Sequence, residues 1–244
     1  LTNEDDLELC LLAGHQVDVG IGKLYPLKLR DIVEIGLSKY NEYLGITTLD
    51  IDDLDLEEVN LKESEITNFE FILLSCYSQS SFKDKFITAL SLFFKELVSV
   101  DYEGGFFYIG EKEEQRIINN DNFKVIQDVL MKQNYVKKEK KEEDYNPGNE
   151  RARKFIEKLK KNKRNMPKIK GDITLHSIIS GIAWKSNNIN ILNVWNMTIY
   201  QLYDAIQRLE LIDNYEGHLQ GIFAGTIDPK KLDFKNINWT KRLK

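Results

Sequence analysis

Cysteine is scarce: the chain of 244 residues has two, Cys10 and Cys76, 66 positions apart, with no CxxC pair and no neighbouring histidine couple. A disulfide framework and a cysteine-based metal site are therefore not expected, and reduced thiols in an intracellular compartment are the plain reading. Three scattered histidines, His15, His176 and His218, supply no ligand cluster either. Only 4 Pro and 14 Gly exclude a collagenous or proline-rich scaffold. No uncharged apolar run approaches the roughly 20 residues that cross a bilayer, so no membrane partner is expected. A secretory leader is not expected, because Leu1 to Glu8 is acidic; the missing initial Met is read as a few absent residues.

What is present is a foldable composition: 42% hydrophobic, 11% aromatic and 30% charged. That balance excludes disorder over most of the chain, since unfolded segments lack large apolar side chains. The net charge of −5 hides a polarity. Residues 1–66 sum to −11, residues 67–136 to −3, residues 137–170 to +8 and residues 171–244 to +1. An acidic front and a basic middle attract each other within a molecule or between copies, so self-association is one expectation.

The basic stretch marks a boundary. VKKEKKEEDY at 136–145 has little to bury, and Asn146-Pro147-Gly148 stops any arriving helix. A helix with a narrow apolar stripe is expected over Asn149 to Asn165, ended at Met166-Pro167. Three parts follow: 1–135, a helical domain with a β-hairpin; 136–170, a basic connector; and 171–244, a small aromatic-rich helical domain. The fold class is mostly α with a small β element, α+β.

Within the first part, Val17, Val19 and Ile21 alternate as a strand would. Pro26 precedes an amphipathic helix over Leu27 to Leu44, with Gly45 as its C-cap. Thr67 and Glu70 form a capping box opening a helix that carries Phe71, Leu74 and Cys76 toward Ser78. Ser81 and Asp84 open a second helix, from Phe86 to Leu97, apolar on more than one face and therefore central. Phe106–Ile109 and Gln115–Ile118 read as a hairpin, and Asp121 as the cap of a last helix. In the second part, Asp172 or Thr174 starts a helix to Trp184. Thr198 and Gln201 box the start of another, over Ile199 to Leu209. Clear periodicity ends after Gly217, and Lys241 to Lys244 reads as a solvated tail.

No motif carries catalysis, and no catalytic residue, cofactor site or metal site is assigned. Glu111, Glu113 and Glu114 fit a charged hairpin tip better than an acid–base site. Asp50, Asp52, Asp53 and Asp55 begin like a calcium loop, but the sixth position is Asp55 rather than Gly and the twelfth is Leu61. Gly20-Ile21-Gly22-Lys23 lacks the spacing of a phosphate loop. His176, among Leu175, Ile178 and Ile179, reads as a core or boundary histidine. An enzyme is not expected.

Two stretches remain. Ten Lys/Arg lie within 151–170; Arg151, Arg153, Lys154, Lys158, Lys160, Lys161, Lys163 and Arg164 offer phosphate contacts. No nucleic-acid-binding motif accompanies them, so a solvated helix or tether ranks first and nucleic acid ranks below protein as a partner. The second stretch gathers Trp184, Trp195, Tyr200 and Tyr203 among asparagines. Core packing and a partner surface account for it about equally, since Trp and Tyr bury area at low entropy cost.

Several stretches resemble a known group. These are Gly22-Lys23-Leu24-Tyr25-Pro26-Leu27 with Ile35-Gly36, Tyr40-Asn41 and Tyr43-Leu44; Ile117-Ile118-Asn119 with Asn122-Phe123 and Gln133-Asn134; and Trp184-Lys185-Ser186 with Leu192 to Asp204. Together they are similar to tail assembly chaperone-like proteins from the tail-morphogenesis regions of tailed bacteriophages and prophages of Gram-positive hosts. The resemblance implies a non-enzymatic protein that coats the tape-measure chain and recruits tail-tube subunits. It would work in the host cytoplasm during assembly, or stay in the virion as a tail or baseplate component. A host-defence inhibitor is the further phage role it leaves open.

Overall fold

The computed structural model describes residues 3–51, 66–111, 114, 116–136 and 173–243. The expected connector helix, the Pro147 break, Asp52, Asp53, Asp55, Glu113 and all eight basic candidates from Arg151 to Arg164 lie outside the described residues.

Helix α1 (Glu4–Leu12) opens where the Asn3 side chain accepts from the Asp5 amide. A two-residue antiparallel ladder follows, β1 (Val17–Asp18) on β2 (Lys23–Leu24). The expected strand is shorter than the alternation suggests. Gly20 adopts φ 88 and donates its amide to Asp18 Oδ1 at 2.8 Å, so Val19 and Ile21 belong to the turn.

The helix expected over Leu27 to Leu44 is two helices, α2 (Leu29–Ile35) and α3 (Leu37–Thr47). Gly36 separates them with φ 91 and ψ 130, a conformation that interrupts the helical ladder at little steric cost only for glycine. Gly45 lies inside α3, which runs on to a Thr48 cap.

Helix α4 (Asn68–Ser78) starts at the Thr67–Glu70 box as expected: Glu70 N donates to Thr67 Oγ1 and Thr67 N to Glu70 Oε2. Its buried face is Phe69, Ile72 and Cys76, while Leu74 points to solvent. Helix α5 (Ser80–Phe94) is central, burying Phe86, Ala89, Leu90, Phe93 and Phe94. It stops three residues before Leu97 because Lys95 turns left-handed.

The expected hairpin is a three-stranded antiparallel sheet, β3 (Val98–Asp101), β4 (Phe106–Ile109) and β5 (Ile117–Ile118), in that spatial order. Val98 pairs with Ile109 and Asp101 with Phe106. Helix α6 (Asn120–Gln133) follows, capped by Asn119 rather than Asp121. Four phenylalanines tie these layers together. Phe69 of α4 and Phe86 of α5 each pack on Phe107 of β4 and Phe123 of α6, with ring centroids 5.0–6.2 Å apart. Truncating one such ring costs roughly 3–5 kcal/mol.

Beyond residue 172 come α7 (Leu175–Lys185), a 3₁₀ turn over Val194–Asn196, and α8 (Ile199–Phe223). Thr174 caps α7 and the Thr198–Gln201 box opens α8 as expected. Helix α8 does not end near Leu209; it passes through Gly217 and Gly221 to Phe223. A short 3₁₀ turn, Pro229–Lys231, and α9 (Phe234–Ile237) complete the order. The class is mostly α with small antiparallel sheets, α+β.

The apolar core is one connected cluster. Ile179, Ile182, Val194, Ile199 and Leu202 belong to the same buried set as Leu11, Leu29, Phe93 and Leu130. Backbone polar groups meet across it: the Leu29 amide donates to Met197 O at 2.8 Å, and Lys28 and Thr198 form an isolated antiparallel bridge. Gln201 Nε2 donates to Leu12 O at 2.9 Å.

Candidate functional site

The start of α8 sets the site. Its capping box fixes Ile199 and Leu202 inward, and helical spacing then turns Tyr200, Tyr203, Asp204 and Gln207 toward the end of α6. There Tyr135 waits with φ 57, a left-handed backbone that ends the helix and swings its ring across. The Tyr135 ring stacks on Tyr203 at 4.9 Å and 10° and meets Tyr200 edge-on at 6.1 Å. Gln207 Nε2 donates to the Tyr135 hydroxyl. Burial raises the pKa of both Tyr135 and Tyr200, because it penalises the phenolate.

Beside this stack lies a cleft of about 510 Å³. Leu9 and Leu12 of α1, Met131 and Tyr135 at the end of α6, and Tyr200 of α8 supply its apolar walls. Its rim is charged. Lys132 Nζ reaches Glu4 Oε1 at 2.8 Å and Glu8 Oε1 at 3.0 Å, while Arg242 reaches Asp5 Oδ1 at 2.9 Å and Glu8 Oε2 at 2.8 Å. Lys241 and Arg242 are exposed, as a solvated tail would be, but they are also held: Arg208 Nη1 donates to Lys241 O at 2.9 Å and to Trp239 O.

The rim carboxylates respond differently. Burial works to raise the Glu8 pKa, but hydrogen bonds from Arg242 and Lys132 outweigh it and hold Glu8 below the usual carboxylate range. Asp204, inside the cleft, is pushed up by burial against the weaker pull of Arg208. Both effects follow from how much water and countercharge each group keeps.

The four aromatic candidates divide. Tyr200 and Tyr203 face Tyr135 in an intramolecular contact. Trp195 packs against the core, its indole N–H donating to Ile191 O at 2.8 Å. Trp184, at the end of α7, stands 82% exposed. Ile173 and Leu192, within twenty residues of each other around it, are 84% and 86% exposed.

Other candidates resolve as structural. Glu114 accepts from Arg116 Nε at 2.9 Å, and Arg116 also grips both oxygens of Glu96, which clamps the β4–β5 connection. Asp50 is buried and accepts from Asn68 Nδ2 at 3.2 Å. His176 is exposed rather than buried, with Nδ1 2.9 Å from Thr174 Oγ1. Burial pushes the Cys76 thiol up to about 12. Among the described residues no group of three His, Cys, Asp or Glu is placed to hold a metal ion. Among the same residues, no helix is long and apolar enough to cross a membrane.

Tyr135, Lys132, Glu8 and Arg242 were not legible as site residues, because each gains its role from a partner far along the chain. Only the opposite charges of the acidic α1 stretch and the basic last residues hinted at their pairing.

Residues 160–244 match the family described as the YomV second domain, a phage-derived family. The match covers about a third of the chain and supports a phage protein. No curated protein and no solved structure matches the chain.

Proposed function

We propose that this chain is a non-enzymatic phage tail assembly factor, chaperone-like, that holds apolar segments of the tape-measure protein while tail-tube subunits are recruited. The observation that carries the reading is Trp184, 82% exposed within the stretch that matches a phage-derived family. A tryptophan left in water costs solubility, and a binding protein recovers that cost when a partner covers the ring. Ile173 and Leu192 are further exposed apolar side chains of the same stretch of sequence. Tail assembly specifically rests on the motif resemblance over Trp184–Ser186 and Leu192–Asp204; the family match over residues 160–244 supports the coarser statement, a phage protein.

On this reading the work happens in the host cytoplasm during assembly. The test is co-expression with the tape-measure protein of the same phage. The tape-measure protein should stay in the soluble fraction and co-purify with this chain. If it precipitates equally with and without this chain, the proposal fails.

A further inference from the structure

The segment Trp239–Leu243 is held in an unusual way. On one side of it lies the 510 Å³ cleft described above; on the other lies a second hollow of about 750 Å³, lined by Gln207, Glu210, Leu211 and Asn214 of α8 together with Asn236 and Lys241. Lys241, Arg242 and Leu243 form a wall between empty spaces rather than a packed layer. The contacts that hold them are polar: the Arg208 guanidinium on the Trp239 and Lys241 carbonyls, and the Arg242 guanidinium on Asp5 and Glu8. The Arg242 side chain is still 54% exposed, so water and salt compete for it.

The cleft's chemistry is specific. Leu9 and Leu12 are 64% and 45% exposed beside it, so its apolar wall is unfinished. Among the described residues the ion pairs of Glu4, Asp5 and Glu8 go to Lys132 and Arg242, so with Arg242 set aside Lys132 is left to balance three carboxylates at the α1 edge, while Arg208 lines the cleft from α8. An occupant must bring positive charge to the α1 edge and an apolar side chain to the floor. Arg242 and Leu243 do this in miniature, one pairing with the carboxylates and the other lining the cleft. They fill only part of the space.

We propose that this cleft is a docking site for a basic, leucine-bearing peptide segment of a protein partner, and that Arg242–Leu243 occupies part of it in cis as a displaceable plug. A segment tethered this closely competes as if present at roughly millimolar concentration. The plug therefore sets a threshold that only a partner with more apolar contact, or more positive charge, will exceed. The cleft shares no lining residue with the groove between α7 and α8 that includes Ile173, so the inference does not depend on the Trp184 surface.

The probe is a fluorescein-labelled peptide of this chain's own sequence, Asn-Trp-Thr-Lys-Arg-Leu-Lys (residues 238–244). Binding is read by anisotropy with the full chain, wild type against the double substitution Arg242→Glu and Leu243→Ser. The double variant should bind the peptide about tenfold more tightly than wild type, because its own plug no longer competes. Adding Glu8→Lys to that variant should abolish the gain, and rising salt should weaken the complex. Equal affinity for wild type and variant, absence of binding by both, or indifference to Glu8→Lys overturns the proposal. A second measurement needs no substitution: saturating unlabelled peptide should raise amide hydrogen exchange across 239–243 in the wild-type chain. Unchanged exchange there also overturns it.

Discussion

The Tyr135 ring lies nearly parallel to that of Tyr203, 4.9 Å away, and joins the end of α6 to the start of α8 across 68 positions of sequence. Such a pair contributes about 0.5–1.5 kcal/mol beyond the area it buries. Tyr135→Ala should therefore destabilise the chain by about 2 kcal/mol. Tyr135→Phe, which keeps the ring and loses the hydrogen bond from Gln207, should cost under about 1 kcal/mol. Urea denaturation of both variants distinguishes the ring from its hydroxyl.

Gln133 presents the opposite situation. Its side chain is buried at 1% exposure, and neither its oxygen nor its nitrogen has a hydrogen-bond partner among the described residues. A buried amide left unpaired costs about 1–3 kcal/mol. Gln133→Met keeps length and flexibility while removing that cost, so it should raise the melting temperature. A lower melting temperature would mean that the amide is satisfied in solution.

Thr198 caps α8 through its hydroxyl, forms the bridge to Lys28, and is 2% exposed. Thr198→Ala should cost about 1–2 kcal/mol, at the upper end for a cap, because the orphaned Gln201 amide is partly buried. Thr67→Ala, at the exposed box of α4, should cost less. Comparing the two by thermal melts separates burial from capping alone.

These caps were the part of the fold most plainly written in the sequence. A hydroxyl followed three residues later by Glu or Gln is a local signal, and Thr67 and Thr198 both fulfilled it. Element boundaries were less legible. The apolar period runs unbroken from Leu29 to Leu44, so nothing in the spacing betrays the Gly36 break. Leu97 continues the count of α5 and so masked Val98–Asp101, a strand that exists only because Ile109 and Phe107 pair with it. The α8 extension past Leu209 was hidden by two glycines that the helix tolerates. In the site, Trp184 and the two tyrosines could be singled out by composition, but which of them faces water is decided by Tyr135, Arg208 and the residues near 240. Spacing along the chain does not encode such distant partners.

The cleft also predicts a pH response. The folded-state pKa of Asp204 is raised, so the folded chain binds its proton more readily than the unfolded chain does. Its ionisation therefore subtracts stability as pH rises above about 4, and that cost vanishes below. Asp204→Asn should be more stable than wild type at neutral pH, with the gap closing as pH falls below that point. Glu8 has the reverse sign: its lowered pKa adds stability above about 4.3 that is lost on acidification. Glu8→Gln should thus flatten the acid limb of the stability curve. Urea midpoints measured across acid and neutral pH check both slopes.

On the proposed function, the chain binds its partner through the exposed ring of Trp184. Titration of the tape-measure protein against wild type and Trp184→Ala measures it directly. Because the ring is 82% exposed, its removal should leave the melting temperature unchanged. Binding should weaken by at least about thirtyfold, as for an anchor residue worth 2 kcal/mol or more. Equal affinity of the two proteins at equal stability would contradict the account.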